Sequence, residues 1–409
     1  MKDGWKYMNF GDVCKFVRGP FGGSLKKSNF KQSGFAVYEQ QHAIKNQFTN
    51  IRYFIDKIKF EEMKRFELLN GDLIMSCSGT MGKIAIVPKN IPEGIINQAL
   101  LKLTPNDSIN IYFLKRWTES SNFKEQLAQK SKGSAIKNVA SVKILKEIKV
   151  PIPPLSEQER IVAILDKAFE NISKAKENAK INLKNAKEIF ENHLNVIFAN
   201  KGEGWIRKPI GEICDLMTGG TPSRSKKEYF ENGDINWLVS GDVNKKEITN
   251  CEGKITIKGF NNSNTKYLPV NSIIIALNGQ GKTRGTVALL RIKATCNQSL
   301  VSIYPKKITE IIPEYIFYNL ESRYVEIRTI TGDSGNDRRG LNMPLIRKIK
   351  IAYPIKINEQ KHYTHKFKTL KQYTKTLEEK YIQKIYNLEE LKQSILQKAF
   401  NGELAEAIQ

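Results

Sequence analysis

One segment of this sequence has the residue types of a phosphate-binding loop. Residues 276–283 read Ala-Leu-Asn-Gly-Gln-Gly-Lys-Thr, a relaxed P-loop pattern with alanine in place of the first glycine, and they follow the apolar run 273–275. A P-loop must open into a helix whose N-terminus faces the phosphates. Residues 284–290 instead read as a second strand, and the equivalent loop in the first half, residues 76–83, has no Gly-Lys-Thr. We therefore favour a basic hairpin turn over a nucleotide-hydrolysing site.

Motifs for other enzyme chemistry are not found in the sequence. Pro153-Pro154 lies between Ile152 and Leu155, so it cannot belong to an Asp/Asn-Pro-Pro-Tyr/Phe methyltransferase motif, and no glycine-rich loop for a methyl donor is present. No Ser/His/Asp arrangement stands out. The five cysteines are scattered without a C-x-x-C pair, which predicts neither a disulfide framework nor a zinc site. We predict no catalytic residue and no metal ligand, although an acidic cluster assembled across the fold stays open.

Polar and basic residues in predicted loops are candidates for contacts with DNA. Asn and Gln can pair bidentately with adenine and Arg with guanine, whereas Lys mostly positions a protein on phosphates. For each residue the alternative is an ordinary solvated surface. The predicted DNA-contacting residues are Lys26, Lys27, Gln40, Gln41, Ser78, Thr80, Lys83, Lys132, Lys137, Asn138, Arg224, Lys226, Lys227, Ser240, Asn278, Gln280, Lys282, Arg284, Arg338 and Arg339.

The elements that carry these loops occur twice in the chain. Gly4-Trp5 returns 200 residues later as Gly204-Trp205. Glu157-Gln158 returns 202 residues later as Glu359-Gln360. Because solenoid repeats have periods of a few tens of residues, a repeat this long indicates two copies of a whole domain. Each copy has short apolar runs separated by Gly, Asn, Ser and Pro, which predicts an α+β domain.

A long helix is predicted after each copy. Residues 156–201 and 355–401 contain no glycine or proline, and apolar residues recur at steps of three and four, as in a coiled coil. Some 45 residues would form a rod of roughly 65–70 Å at ~1.5 Å per residue. The positions predicted at the seam include Ile161, Leu165, Ile172, Leu183, Phe190, Phe367, Leu370, Leu377, Leu388 and Ile395. The helices are predicted to pair antiparallel; the alternative is that each packs only on its own domain.

Several local signals define the ends of elements. Ser156 with Glu159 fits a capping box for the first long helix, Asn358 is the predicted cap of the second, and Gly402 is predicted to end it. The apolar spacing also predicts a helix over residues 111–127 and a hairpin formed by strands at 73–75 and 83–87.

These patterns predict an α+β fold with two globular domains separated by two long helices that pair as an antiparallel coiled coil. The predicted boundaries are 1–154 for the first domain, 155–201 for the central helix, 202–354 for the second domain and 355–409 for the C-terminal helix.

The charge of the chain indicates a polyanionic partner. The net charge is +24 over 409 residues, and the pI is about 9.6. Nucleic acid is the first candidate, because lysine–phosphate contacts release counterions and drive binding. The alternative is that a Lys-, Asn- and Ile-rich composition reflects a biased genome. No apolar run reaches the ~18 residues of a spanning helix, and the N-terminus lacks the apolar stretch of a signal peptide, so we predict a cytoplasmic protein without a membrane partner.

Over its full length, the sequence resembles the DNA-specificity (S) subunit of type I restriction-modification systems. The resemblance is carried by Pro-Pro-Leu-Ser-Glu-Gln-Glu-Arg-Ile-Val at 153–162 and by Ser-Ile-Leu-Gln-Lys-Ala-Phe-Asn-Gly-Glu-Leu at 394–404. Residues 218–222 and 235–243 look like the opening of a target-recognition domain, and residues 19–26 look like its variant form. The second long segment departs from the pattern, because its start at 357–361 lacks the Pro-Pro-Leu-Ser part.

The resemblance implies a role in DNA recognition without catalysis. Each target-recognition domain would read one half of a bipartite, asymmetric DNA target. The helices would be the conserved regions that set the spacer and dock two DNA-methyltransferase (M) subunits, and restriction/translocase (R) subunits would join that core. No cofactor is expected in this chain; methyl donor, ATP and magnesium are expected on the partner subunits.

Two other classes of function remain open at this point. One is a single-chain methyltransferase or nuclease that carries its own recognition domains, which turnover by the purified chain alone would reveal. The other is a structural coiled-coil protein whose basic charge serves RNA, which salt-sensitive binding without preference for DNA sequence would favour.

Overall fold

The chain folds into two compact units, each containing one α+β domain and part of both long helices. The first unit comprises Met1–Ala179 and Gln383–Gln409, and the second comprises Lys180–Ile382. The computed structural model describes residues 4–21, 23–78, 80, 82–130, 142–199, 203–279, 281–330 and 340–404. The predicted α+β fold with two long helices is confirmed. The domain boundaries predicted from the sequence stay a prediction.

The first unit contains three sheets and six short helices among its described residues. Its strands, in spatial order, are Cys14–Arg18, Leu100–Pro105, Leu73–Ser76 and Ile84–Ile86 in a four-stranded sheet; Phe54–Ile55, Phe35–Tyr38 and Gly94–Ile96 in a three-stranded sheet; and Lys6–Asn9 with Lys149–Ile152 in a two-stranded sheet. Its short helices are Phe10–Val13, Gln40–Lys45, Lys57–Glu62, Ile111–Glu119, Ser121–Lys130 and Val142–Lys146. The first long helix is Leu155–Ala199.

The second unit repeats this plan with one more strand. Its strands are Cys214–Thr218, Leu300–Pro305, Ile273–Ala276, Val287–Leu290 and Glu247–Ile248 in a five-stranded sheet; Lys254–Ile255, Ile235–Leu238 and Thr295–Cys296 in a three-stranded sheet; and Trp205–Pro209 with Lys350–Pro354 in a two-stranded sheet. Its short helices are Ile210–Ile213, Ile257–Asn261, Pro313–Ser322, Tyr324–Thr329 and Met343–Lys348. The second long helix is Ile357–Phe400.

One inner strand of each larger sheet is apolar on both faces because each face covers a different core. In Ile273–Ala276 all four residues are buried. Ile273 and Ile275 join the core that contains the long helices, whereas Ile274 joins the core against the three-stranded sheet. Alternate residues of a strand point to opposite faces, so a continuous apolar run is required here. The same division holds in the first unit, where Leu73 and Ile74 belong to different cores.

The long helices pair antiparallel and share a core with the domain in each unit. In the first unit, Arg160 Nη2 donates to the Leu404 carbonyl over 3.4 Å, and Lys176 Nζ lies 2.6 Å from Glu389 Oε2. The second helix therefore runs back along the first. In the second unit, Phe198 and Phe367 of the two helices have ring centroids 5.5 Å apart. The predicted antiparallel pairing is confirmed.

Both helix caps predicted from the sequence are wrong by a residue or more. The first long helix begins at Leu155, and the Pro154 carbonyl accepts from the amides of Glu157 and Gln158, so Ser156 lies inside the first turn. The second begins at Ile357, which places Asn358 inside the helix as well. In each case a backbone carbonyl upstream of the predicted cap starts the hydrogen-bonded turn.

The end of the second long helix follows the prediction. Gly402 has φ +76°, a left-handed conformation that glycine adopts without a Cβ penalty. Its amide donates to the Ala399 carbonyl, and the Glu403 amide donates to the Lys398 carbonyl. This pair of bonds is the Schellman motif, which satisfies carbonyls that the end of a helix would leave unpaired.

The single helix predicted over residues 111–127 is wrong, because Ser120 interrupts it. Ile111–Glu119 and Ser121–Lys130 are separate helices, and Ser120 between them is extended. The Ser120 hydroxyl donates to the Trp117 carbonyl and accepts from the Phe123 amide. A serine that bonds the backbone in this way competes with helix continuation. The apolar spacing survives the break because both helices pack on the same core.

Candidate nucleic-acid interface

The first hairpin turn is closed by Ser76. The predicted strands pair antiparallel, with Leu73 opposite Ile86. The Ser76 hydroxyl donates to the Thr80 carbonyl over 2.6 Å and accepts from the Lys83 amide over 3.0 Å. Thr80 and Lys83 are exposed, and Ser78 is half-buried. These two bonds close a short polar turn that carries one cation, Lys83.

The second hairpin turn is longer and more basic. The backbone carbonyl of Ser76 accepts from the Gly82 amide, whereas the backbone carbonyl of its counterpart Ala276 accepts from the Gly285 amide. The second turn is therefore three residues longer than the first. Lys282 and Asn278 are exposed, and the Lys282 carbonyl accepts from the Thr286 and Tyr324 hydroxyls over 2.8 Å each.

This second turn is followed by a strand, as the sequence predicts. Val287–Leu290 pairs antiparallel with the strand that precedes the turn, and Ile275 lies opposite Val287. A strand and not a helix follows the turn, so the arrangement does not form a P-loop. The Gly-Lys-Thr of residues 281–283 is part of a β-hairpin.

The cations of the second turn have no carboxylate partner in the part of the chain that the structure describes. Neither Lys282 nor Arg284 makes an ion pair there, and the buried Nε of Arg284 has no hydrogen-bond partner. Arg328 Nη1 lies 3.2 Å from the Tyr324 hydroxyl, beside the same turn. Unpaired guanidinium and ammonium groups on a turn suit an anionic partner.

Two basic segments precede the three-stranded sheets at matching places. Lys26 and Lys27 are exposed at a short 3-10 turn that spans Lys27–Asn29. Arg224, Lys226 and Lys227 are exposed at the corresponding turn, and Lys226 Nζ bonds the Tyr229 hydroxyl over 3.1 Å, which raises the pKa of Lys226.

A third pair of segments follows the central strand of each three-stranded sheet. Gln40 and Gln41 begin a short helix, and Ser240 begins a 3-10 turn; all three are half-buried. The Gln40 Oε1 atom is buried without a hydrogen-bond partner among the described residues. Gln41 Nε2 donates to Glu39 Oε2 over 3.3 Å.

Two buried residues, His42 and Asp242, hold the starts of the segments that follow the central strands, and neither was predicted from the sequence. His42 Nδ1 accepts from the Glu39 amide over 2.9 Å, and Asp242 Oδ2 accepts from the Val239 amide over 2.9 Å. The two residues are 200 positions apart and perform the same capping role. Their different types hide the correspondence in the sequence.

The remaining predicted DNA contacts cannot be placed. Lys132, Lys137, Asn138, Gln280, Arg338 and Arg339 lie outside the described residues.

The predicted seam residues differ in burial. Those in the core clusters are Ile161, Leu165, Ile172, Phe190 and Phe367, and those packed against the clusters are Leu370, Leu388 and Ile395. Leu183 is half-buried, and Leu377 is exposed.

A buried glutamine joins each domain to its long helix, and the sequence analysis gave it no role beyond the repeat. Gln158 is 0 % exposed; its Oε1 accepts from the Asn110 amide, and its Nε2 donates to the Ser108 and Pro153 carbonyls. Gln360 is equally buried and makes three corresponding bonds, to the Ile312 amide and to two carbonyls. The repeated Glu-Gln pair was the signal that could have identified it.

The cysteines, all of which lie among the described residues, are not activated as nucleophiles. All five cysteines are buried, and burial raises the pKa of Cys14, Cys214 and Cys296 to about 12. Such thiols are poor nucleophiles. Among the described residues, no group of His, Cys, Asp and Glu has the arrangement of a metal site. In the same part of the chain, no helix combines the length and apolar character needed to cross a bilayer.

The repeated domain places this chain in a family of DNA-specificity proteins. The family described as "Type I restriction modification DNA specificity domain" matches residues 2–183 and 202–387. Because these matches cover most of the chain, the chain belongs to this family, and the resemblance inferred from the sequence is confirmed.

Relatives with known names agree with this assignment. The specificity subunit of the type I restriction enzyme EcoR124I/EcoR124II from Escherichia coli is 30% identical over 234 residues, which cover 55% of this chain and 56% of that subunit. The chain thus spans little more than half the length of this relative.

Two solved structures share the fold. A chain from a study of complex assembly and conformational transition of the type I R-M system aligns with a TM-score of 0.76 and 18% identity, covering 99% of both chains. The HsdS subunit from Thermoanaerobacter tengcongensis aligns with a TM-score of 0.65 and 18% identity, covering 99% of this chain and 98% of that one.

Proposed function

We propose that this chain is the non-catalytic DNA sequence-specificity subunit of a type I restriction-modification complex, and that its two domains read the two halves of a bipartite, asymmetric target. The observation that carries the proposal is the repeated domain, matched twice by one DNA-specificity family. Two copies of a reader in one chain supply two half-sites, and copies with unlike surfaces make the halves unlike.

The two hairpin turns support unlike half-sites. The first presents Ser78, Thr80 and Lys83, whereas the second is three residues longer and presents Asn278, Lys282 and Arg284. Asparagine and arginine can bond base edges in the major groove. The exposed lysines position each domain on phosphates, so DNA binding should weaken steeply with salt.

The long helices would act as the spacer and as the docking surface for two methyltransferase subunits. Restriction/translocase subunits would join this core. Methyl donor, ATP and magnesium would then be bound by the partners and not by this chain, and the complex would work in the cytoplasm. The domain limits in this proposal are 1–154 and 202–354, with helices at 155–201 and 355–409.

Exchanging one reader tests the proposal. Residues 1–150 are replaced by the matching domain of another family member, the complex is assembled with its methyltransferase, and the methylated DNA is sequenced. One half of the target should change while the other half stays the same. If both halves change, or neither does, the two-reader proposal is wrong.

Lengthening the first long helix tests the spacer role separately. Inserting one heptad near Asn182 should alter the separation of the half-sites and leave both half-site sequences intact. A changed half-site would contradict the spacer role. Methyl transfer or magnesium-dependent cleavage by the purified chain alone would instead identify a self-contained enzyme.

A further inference from the structure

Four lysines from distant parts of the sequence gather on one surface of the first unit. They are Lys83 on the first hairpin turn, Lys115 and Lys124 on the two consecutive short helices, and Lys392 on the second long helix. Lys83 and Lys124 are exposed, and Lys115 and Lys392 are half-buried. We call these four residues the lysine cluster.

Direct contacts place two of the four side chains. Lys124 Nζ lies 3.5 Å from Gln393 Oε1, the neighbour of Lys392 in the chain. Lys392 Nζ lies 4.9 Å from the centre of the Phe169 ring. The short helix Ser121–Lys130 and the second long helix therefore bring two ammonium groups to one surface.

Nearby charges link the other members. Partial burial lowers the pKa of Lys124, and Lys83 and Lys392 lower it further, while Glu119 and Glu389 oppose the shift. Partial burial also lowers the pKa of Lys115, with Arg116 and Lys392 adding to that effect and Glu119 opposing it. Crowding of like charges disfavours the protonated forms and therefore works against this arrangement.

The neighbouring carboxylates are already committed to other cations. Arg116 bonds Asp166 over 2.6 Å and Glu119 over 3.1 Å, and Lys176 pairs with Glu389 over 2.6 Å. Within the described residues, no member of the lysine cluster makes an ion pair with a carboxylate. The surface thus keeps a positive surplus, which an external anion would neutralise.

The equivalent positions of the second unit are not lysines. The hairpin bonds align Lys83 with Thr286, and the 202-residue shift of the Glu-Gln pair aligns Lys115 with Phe317 and Lys124 with Glu326. The same shift aligns Lys392 with Phe190, an aromatic residue of the core. The cluster is therefore not a requirement of the shared fold.

We propose that the lysine cluster is a phosphate-binding surface that extends the DNA contact of the first domain onto the second long helix. The proposal rests on the proposed function, because it takes duplex DNA as the polyanion. Lys83 makes the cluster continuous with the hairpin turn, which favours DNA over an acidic protein surface. The contact is to phosphates, so it adds affinity without reading sequence.

The salt dependence of DNA binding tests the inference. The full chain, assembled with its methyltransferase subunits, is titrated with duplex DNA containing its mapped target over a range of salt concentrations. The double variant Lys124→Gln/Lys392→Gln should bind on the order of tenfold more weakly at low salt, and its log–log salt slope should be shallower by about 1.8. The methylated target sequence should not change.

Matched variants separate a phosphate contact from a structural effect. The charge-conserving pair Lys124→Arg/Lys392→Arg should keep the wild-type slope. The control pair Lys368→Gln/Lys375→Gln removes two exposed lysines of the same helix within the second unit and should also keep it. Thermal unfolding of each complex shows whether a weakened variant is still folded.

Each contrary outcome has a distinct meaning. An unchanged slope in the folded Lys124→Gln/Lys392→Gln complex overturns the inference and leaves the proposed function standing. An unchanged slope with weaker methyltransferase binding would assign the cluster to a protein interface instead. Failure of the wild-type complex to prefer any DNA sequence would defeat the proposed function itself.

Discussion

The two units share a buried frame but differ in the contacts that surround it. Gln158 and Gln360 make equivalent bonds, and Asn97 and Asn297 each accept from the amide two residues later over 3.0 Å. These amides are buried, or half-buried in the case of Asn97, and both copies keep them because a shielded amide needs its partners in fixed places. Identity at these hydrogen-bonded amide positions therefore marks structural constraint.

The contacts between the two long helices show how the copies differ. In the first unit, Lys392 of the second long helix lies over Phe169 of the first long helix. In the second unit, Lys371 of the second long helix lies 5.5 Å from the Phe190 ring on the first. The 202-residue shift aligns Phe169 with Lys371 and Phe190 with Lys392, so the cation and the aromatic ring have exchanged places.

This exchange has an electrostatic consequence. Lys371 also lies 3.5 Å from the carboxylate of Glu321. The same carboxylate pairs with a second lysine, Lys246. Lys392 lacks such a partner among the described residues and stands among other lysines. A lysine packs on an aromatic ring in both units, but among the described residues only the lysine of the second unit also pairs with a carboxylate. The proposed phosphate contact would supply Lys392 with the anionic partner that Lys371 finds within the chain.

Adding a methyl group to a shared glycine should have the largest effect, in both units alike. A Cβ on Gly19 would lie 1.9 Å from the Asn97 carbonyl oxygen, and one on Gly219 would lie 1.7 Å from that of Cys296. Gly19→Ala and Gly219→Ala should each lower the free energy of unfolding by about 4 kcal/mol or more, because backbone must move. Chemical denaturation measures the loss. Gly23→Ala and Gly241→Ala, which face open space, serve as controls.

Removing the buried glutamine should have the next largest effect, again equal in the two units. Gln158→Leu and Gln360→Leu each leave an amide and two carbonyls unpaired, which should cost about 2–3 kcal/mol of unfolding free energy. Gln397→Leu, at an exposed position of the second long helix, is the matched control. A loss confined to one unit would show that the two frames are not equivalent.

Removing the exchanged lysines should separate the two units. Lys371→Met loses an ion pair and ring contacts and should destabilise the protein by about 1 kcal/mol. Lys392→Met loses one ring contact but relieves crowding of like charges, so its effect should stay within about 0.5 kcal/mol of zero. Thermal unfolding compares the two variants. Equal losses of unfolding free energy in the two variants would contradict the expected contribution of the Lys371–Glu321 ion pair.

The cysteines should show the smallest effect, with no difference between the units. All five are buried, and burial keeps their pKa values above the usual thiol range. At about pH 8 the native protein should therefore resist alkylation, and labelling should appear only on unfolding. Mass spectrometry of the labelled protein follows this. Rapid labelling of one native cysteine would show that its unit opens locally.

The sequence predicted the elements whose periodicity is set by burial. The long helices and the first hairpin follow from apolar spacing, which depends only on neighbouring residues. The break at Ser120 was not predicted, because it depends on the Ser120 hydroxyl donating to the Trp117 carbonyl. That bond competes with continuation of the helix. The lysine cluster was not predicted either, since Lys83, Lys124 and Lys392 meet only after folding.

We propose that the two unlike domains read two unlike half-sites. The most direct measurement is to sequence the methylated bases in DNA modified by the wild-type complex. We expect one motif with two specified parts of different sequence, separated by unspecified bases. A continuous motif, or two identical half-sites in inverted order, would contradict it.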